Sequence, residues 1–161
     1  MATPINASVR YYRRGTTRVL WAPAIANKAA PTRAEINAST ALEGETGAMA
    51  GWQTTSSTVG TPALGSRFTP VVGGEITAAD SSLTFWASQD GDDVRTLLTR
   101  EERGFIIWMD EGDVPGQTMD VYPVTVTSQA KVRELDSAAQ IMAQFAITSE
   151  PAENVTIPAA S

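Results

Sequence analysis

The stretch LTFWASQDGDDVRTLLTREERGFIIWMD, residues 83–110, changes its hydrophobic period twice and decides the class of fold. Residues 83–87 alternate between two faces, as the side chains of a β-strand do. Residues 90–103 then carry apolar side chains at helical spacing, and residues 105–110 return to a strand. The stretch therefore predicts a strand, a helix and a second strand, in that order.

The predicted helix has suitable residues at both ends. Acidic side chains stabilise the positive N-terminal end of a helix dipole, and basic side chains stabilise the C-terminal end. The acids are Asp90, Asp92 and Asp93, and the bases are Arg100 and Arg103. Gly104 is placed to adopt the left-handed conformation that ends many helices. We therefore expect one α-helix at about residues 90–103.

Further strands are predicted on both sides of this stretch. RVLWA, residues 18–22, precedes a short helix in PTRAEINAS, where Thr32 and Glu35 have the spacing of a capping box. MDVYPVTVTS begins at Met119, and a last clear strand covers about residues 140–148. The chain is thus predicted to be mainly β.

Two segments suggest surfaces that a partner covers. The strand at 105–110 is apolar on both faces, so the second face needs either the helix or a neighbouring subunit. Residues 44–74 are rich in Gly, Thr and Ser and read as a long loop carrying a weak hairpin. The large apolar residues available to order this loop are Trp52, Phe68, Val71 and Val72.

Composition narrows the class of protein. The chain has 161 residues, 42% of them hydrophobic, which suits one globular domain over residues 1–161. It contains no cysteine and no histidine, so disulfides, thiolate nucleophiles, imidazole-dependent triads and the commonest metal ligand are excluded. No segment approaches the ~20 apolar residues of a membrane span.

Charge is unevenly distributed along the sequence. Residues 1–34 carry six basic residues and no acid, whereas the remainder holds six bases and eighteen acids, a net charge of −12. One interpretation is a solvated basic end. The other is that Arg10, Arg13 and Arg14 of one copy contact acids of another copy. The acids proposed for that contact are Asp110, Glu111 and Asp113.

Several catalytic and binding interpretations have little support. The acids near residue 110 lack the ligand spacing of a calcium site and the paired geometry of a glycosidase. Tyr11 and Tyr12 beside arginines resemble a stacking platform for single-stranded nucleic acid, but overall acidity disfavours phosphate binding. Nucleophile-elbow and nucleotide-loop motifs are absent from the sequence. We expect no enzymatic activity, no cofactor and no metal.

The end of the chain, QFAITSEPAENVTIP at residues 144–158, opens as a strand and meets Pro151. A second β-branched run follows, containing Val155 and Ile157. A terminus that only closed a domain would be free to fray, so this run suggests a C-terminal arm at about 150–161 that binds elsewhere. A matching N-terminal arm is expected at about residues 1–15.

Four segments, taken in order, resemble the major tail-tube proteins of long-tailed, non-contractile bacteriophages, particularly those of actinobacterial hosts. The segments begin GTTRVLWAPAIANK, DSSLTFWASQDG, MDVYPVTVTS and QFAITSEPAENVTIP, and together they span nearly the whole chain. The resemblance implies a β-sandwich or barrel-like fold with one flanking helix, in a structural virion protein made and assembled in the host cytoplasm. It also implies that extended termini and a long hairpin loop make the contacts between copies.

The resemblance further implies partners. The principal partner is the chain itself, in hexameric rings that stack into a tube, and tape-measure and tail-terminator proteins are expected as well. DNA is expected to pass through the lumen without specific binding. The alternative function is a carbohydrate- or receptor-binding virion module, whose aromatic surface Trp52, Trp86 and Trp108 would supply.

Overall fold

The computed structural model describes residues 2–160. The chain is mainly β, with 43% strand and 6% helix, and its strands pair in antiparallel fashion. The predicted fold class is therefore confirmed. The chain divides into two compact units, one formed by Met1–Gly44, Gly104–Val121 and Pro151–Ser161, the other by Glu45–Arg103 and Tyr122–Glu150.

Ten strands and two short helices make up the regular structure of the described residues. In chain order they are β1 Arg18–Ala22, α1 Arg33–Asn37, β2 Thr40–Ala41, β3 Thr46–Ala50, β4 Thr54–Gly60, β5 Val71–Ala78, β6 Ser81–Trp86, α2 Val94–Leu97, β7 Arg103–Met109, β8 Thr118–Val132, β9 Gln140–Ile147 and β10 Ala152–Thr156.

In the first unit, β1 pairs with both β2 and β7, and Leu20 lies opposite Ile107. The strand β10 pairs with the beginning of β8, where Val155 lies opposite Met119. The capping box predicted before α1 is present: the Thr32 hydroxyl accepts a hydrogen bond from the Glu35 N–H, and the Glu35 carboxylate accepts one from the Thr32 N–H. This local signal starts the helix at the residue the sequence indicates.

The core of the first unit is an aliphatic cluster drawn from five segments. It contains Leu20, Ala22, Ile25, Ile36, Ile107, Met109, Met119, Val121, Val155 and Ile157, and Phe105 packs against it. One face of β7 is thus covered by α1 and by the C-terminal residues. The other face, at Ile106 and Trp108, is also buried within the chain, so neither face of β7 needs a neighbouring subunit to cover it.

In the second unit, the later part of β8 pairs with β9, β9 pairs with β6, and β6 pairs with β3. The strands β4 and β5 form a separate two-stranded sheet. The predicted hairpin is therefore confirmed, but residues 44–74 hold regular strands where a long loop was expected. Gly51 turns the chain between β3 and β4 at φ +82°, with Asp80 O only 2.3 Å from where a Cβ would lie.

The predicted helix at about residues 90–103 is wrong in length, because α2 spans only Val94–Leu97. Its start follows the acidic cap, since the Asp93 side chain accepts a hydrogen bond from the Arg95 N–H. After Leu98 the backbone instead exchanges hydrogen bonds with Val126, through Glu101 N–H and Glu102 O. Sheet pairing thus replaces the later helical turns.

Gly104, predicted as the helix cap, lies in β7 and is needed for another reason. A Cβ at this position would lie 2.6 Å from the Trp21 side chain and 2.8 Å from Ala22 O. Real side chains do not tolerate such distances, so the glycine allows β1 and the Trp21 ring to approach β7 closely.

Candidate assembly surfaces

Nearly all residues of the β4–β5 hairpin are exposed in the subunit. Val59 pairs with Val72 across the two strands, and Gly60 pairs with Val71. The exposed large apolar side chains of the hairpin and its connecting loop are Val59, Leu64, Phe68, Val71, Val72 and Ile76. Scattered exposed apolar residues are common, but six within one hairpin and its loop form a candidate binding surface.

Trp52 does not belong to that surface. Its ring packs edge-on against Tyr122 at 5.4 Å between centroids and lies 5.3 Å from Phe145. Its Nε1–H donates to Ser82 O at 3.1 Å, and the Tyr122 hydroxyl donates to Trp52 O at 2.7 Å. Trp52 therefore holds the base of the hairpin to the sheet of the second unit.

The aromatic platform required by the carbohydrate-binding alternative is not formed. Trp52 is packed as described, and Trp108 is buried, at 6% exposure. Trp86 is the most exposed of the three, at 40%, and its ring covers Gly47 on β3, where a Cβ would lie 3.1 Å from the indole. An aromatic ring laid over a glycine on an edge strand is a stabilising arrangement within the sheet.

The basic N-terminal segment meets the acidic turn within one chain. The Arg13 guanidinium pairs with the Asp110 carboxylate, and this hydrogen bond raises the pKa of Arg13. The Thr17 hydroxyl donates to Asp110 O at 2.9 Å, and the N–H groups of Thr16 and Thr17 donate to Arg13 O. The contact proposed between copies is therefore made, for Arg13 and Asp110, inside the subunit.

A second intrachain pair involves Asp113. Arg33 on α1 donates to both carboxylate oxygens of Asp113, at 2.9 and 2.8 Å, and to Pro158 O at 2.6 Å. The Arg33 side chain is only 10% exposed. Arg33 thus joins α1, the turn before β8 and the C-terminal residues, a role that no pattern in the sequence indicates.

Three charged candidates remain on the surface. Arg10, Arg14 and Glu111 are exposed in the subunit. Glu111 lies near Asp120, whose pKa is raised by burial and, further, by the charges of Glu153, Asp110 and Glu111. The Asp120 carboxylate accepts a hydrogen bond from the Asn154 N–H at 2.8 Å. This acidic region gives the first unit an exposed negative surface beside β10.

The acidic region does not form a metal centre. Among residues 2–160, no group of three or more acidic side chains is arranged to hold a metal ion. The Asp120 carboxylate instead serves a bulge of β10, where the register shifts between Ala152 and Val155 and Asn154 adopts φ +56°. Asp120 thus supports the backbone of this bulge, and the neighbouring acids contribute negative charge to the surface.

The C-terminal run is paired and buried within the subunit. Val155 and Ile157 lie in the core of the first unit, with Ile157 at 1% exposure. The Ile157 N–H donates to Gln117 O, and the Gly116 N–H donates to Ile157 O. Val155 in β10 and Ile157 directly after it are therefore core residues of their own subunit.

A comparison with protein families finds that the family described as phage tail tube protein matches residues 5–160. The match covers almost all of the 161 residues, including every strand and helix described above. A search of curated proteins finds no match. None of the described helices has the length and apolar character needed to cross a bilayer.

Proposed function

We propose that this chain, which belongs to the phage tail tube protein family, closes into hexameric rings that stack to form the conduit for genome delivery. The family makes the chain a structural component of the virion tail. The proposed role is non-enzymatic, and assembly takes place in the cytoplasm of the bacterial host, which we propose to be an actinobacterium. Tape-measure and tail-terminator proteins are the further partners we propose.

The observation that carries this proposal is the exposed β4–β5 hairpin. A two-stranded hairpin is at best marginally stable alone in water, and this one exposes aliphatic side chains along its length. A second copy of the chain would bury Val71, Val72 and Phe68 and add stability to the hairpin. At ~25 cal/mol per Å² of apolar area, a contact repeated in every copy is a substantial driving force.

Charge supports passage of DNA through the proposed tube. The chain carries a net charge of −6, with −12 on residues 35–161. An acidic wall forms no phosphate contacts and releases no counterions, so DNA would move past it without binding. Arg10 and Arg14, which remain exposed, are the basic residues we propose for contact with an acidic residue such as Glu111 of another copy.

The test compares purified wild type with the double variant Val71→Ser, Val72→Ser. Wild type is expected to form tubes, whereas the variant loses the aliphatic contact and is expected to form few or none, as measured by sedimentation and negative-stain imaging. The control is Leu135→Ser, which changes an exposed aliphatic residue far along the chain from the hairpin. Tubes of equal length from wild type and the hairpin variant would contradict the proposed role of the hairpin.

A further inference from the structure

We propose that residues 2–9 of one copy add as a third strand to the β4 edge of the β4–β5 hairpin of another copy. This inference rests on the proposed function for the presence of a second copy. It states which segment binds the hairpin and how it binds, by strand addition. In this mode backbone hydrogen bonds supply affinity, and alternate side chains supply specificity.

The N-terminal segment has the pattern of a strand but is not in one. Ile5, Ala7 and Val9 alternate with Asn6 and Ser8. Such a period of two places the three apolar residues on one face. In the subunit Ile5 is 99% exposed and Val9 94% exposed. No hydrogen bond joins residues 2–12 to another residue in the described part of the chain, so their backbone groups are available to an edge strand.

The two edges of the hairpin differ in how well they accept another strand. Between the pairs Ser56–Ile76 and Thr58–Gly73, β4 advances by two residues and β5 by three, so the extra residue lies in β5. Bulges and charged residues protect an edge from pairing, and β5 carries both the bulge and Glu75. The β4 edge, TTSSTVG, is uncharged, regular and rich in β-branched residues.

The two partners also match in charge and length. Residues 2–9 contain no charged side chain, and β4 contains none. Neither partner needs to desolvate an ion when the strand is added. Residues 2–9 are eight residues long, close to the seven-residue length of β4. With Ile5, Ala7 and Val9 on the side of Val59 and Val72, the added strand would extend that aliphatic row.

The anchor of the segment leaves it free to reach a neighbour. The turn at Arg13–Thr17 is fixed to Asp110, as described above, and residues 2–12 have no regular structure. When residues 2–9 pair with the hairpin, residues 10–12 link them to this turn, and the distance from Val9 to Arg13 is at most about 13–14 Å. The proposal therefore requires the β4 edge of the adjoining copy to lie within about this distance of the Arg13 turn.

The first test compares two charge-matched variants, Ile5→Asp with Val9→Asp and Asn6→Asp with Ser8→Asp. Both add two acids to the same exposed segment, but only the first pair replaces the apolar row. In assembled protein, residues 54–60 should exchange amide hydrogens roughly tenfold faster in the first variant than in wild type, whereas the second variant should resemble wild type. Equal protection of residues 54–60 in all three proteins would overturn the proposal.

The second test uses the absence of native cysteine. One preparation carries Ala7→Cys and another carries Ser57→Cys, and the two are mixed under oxidising conditions. Strand addition predicts a mixed disulfide dimer, because neighbouring strands lie about 5 Å apart, within disulfide reach. The control partner, Thr77→Cys on β5, lies on the same face as Thr55 and Ser57 but a further strand away, and should cross-link at most a tenth as much. Two further variants, Thr55→Cys and Val59→Cys, replace Ser57→Cys in parallel mixtures. They test a pairing register between Ala7 and β4 that is shifted by two residues in either direction.

The outcomes separate this inference from the proposed function. Tubes without the mixed disulfide at any of the three β4 positions overturn the inference and leave the tube function standing. Mixed dimers without rings or tubes support strand addition and overturn the tube function. If a chain carrying both Ala7→Cys and Ser57→Cys cross-links only within itself, the segment serves its own hairpin, and the inference is overturned.

Discussion

Individual charged residues of this chain, such as Arg33 and Asp93, stabilise loops and strand ends and are not part of a catalytic or binding site described above. Arg33 joins three segments of the first unit through Asp113 and the carbonyl of Pro158. In the second unit, Asp93 has a similar role: its carboxylate, 3% exposed, accepts hydrogen bonds from the N–H groups of Ser88 and Arg95 and pairs with the Arg95 guanidinium. Asp113 and Asp93 are thus explained as residues that support loops and strand ends.

Asp93 gives the subunit a defined pH dependence. Its hydrogen bonds with Arg95 lower the pKa of the carboxyl to about 2 in the folded protein, whereas an unfolded Asp titrates near 3.9. The ionised carboxylate therefore stabilises the fold fully above about pH 4, and this contribution is lost as pH falls through 2. Asp93→Asn keeps a capping oxygen but removes the charge, and should cost about 1–2 kcal/mol at pH 7.

The measurement is the free energy of unfolding of dilute, unassembled subunit between pH 7 and pH 2. The difference between wild type and Asp93→Asn should shrink as pH falls below 4. Asp92→Asn, the same change at an exposed neighbouring position, is the control and should have little effect throughout. A difference between Asp93→Asn and wild type that stays constant down to pH 2 would contradict the assigned role of the carboxylate.

At the scale of elements, those with strong local signals were predictable and those that depend on distant pairing were not. The strand RVLWA and the capping box at Thr32 are found where the sequence places them, because alternation and capping act within a few residues. The helix at α2 was predicted too long, because pairing of Glu101 and Glu102 with Val126 is invisible to local periodicity.

The C-terminal run, residues 152–158, also shows that a local sequence pattern does not reveal which distant residues a segment contacts. Its β-branched residues were interpreted as a surface for a neighbour, yet Val155 and Ile157 fill the core of the first unit. The sequence indicates that such β-branched residues are buried in the functional protein. It does not indicate which surface covers them. The hairpin residues Phe68, Val71 and Val72 were selected by the same reasoning, and in the subunit they remain exposed.

Deletion of residues 152–161 should therefore destabilise the subunit itself. The change removes two core aliphatic side chains, each worth about 2–5 kcal/mol when a cavity is left, together with the β10 pairing to β8. Thermal and denaturant unfolding should show a loss of more than about 4 kcal/mol or no cooperative transition. Deletion of residues 2–11, an exposed segment of the same length, is the control and should leave the unfolding free energy nearly unchanged. Equal free energies of unfolding for the two deletion variants would contradict the assigned core role of Val155 and Ile157 and would favour a C-terminal arm.

The whole molecule combines an acidic body, in which some charges are paired, with two exposed elements that carry few charged residues. Some of these charges pair within the subunit, as Arg13 does with Asp110 and Arg18 does with Glu43. The β4–β5 hairpin and residues 2–9 instead expose aliphatic side chains to solvent. Exposed surface ion pairs contribute at most ~1 kcal/mol each, so burial of these apolar elements, and not charge, is expected to drive assembly.

The most direct test of the account is electron microscopy of the purified wild-type protein. A tube subunit should appear as rings with six-fold symmetry in end-on views and as stacked rings in side views. Averaged end-on images would give the symmetry, and length distributions would show whether the rings propagate. The account predicts six-fold rings and tubes with an open lumen. A population of discrete monomers or closed trimers at all protein concentrations would contradict the claim that this chain builds a tail tube.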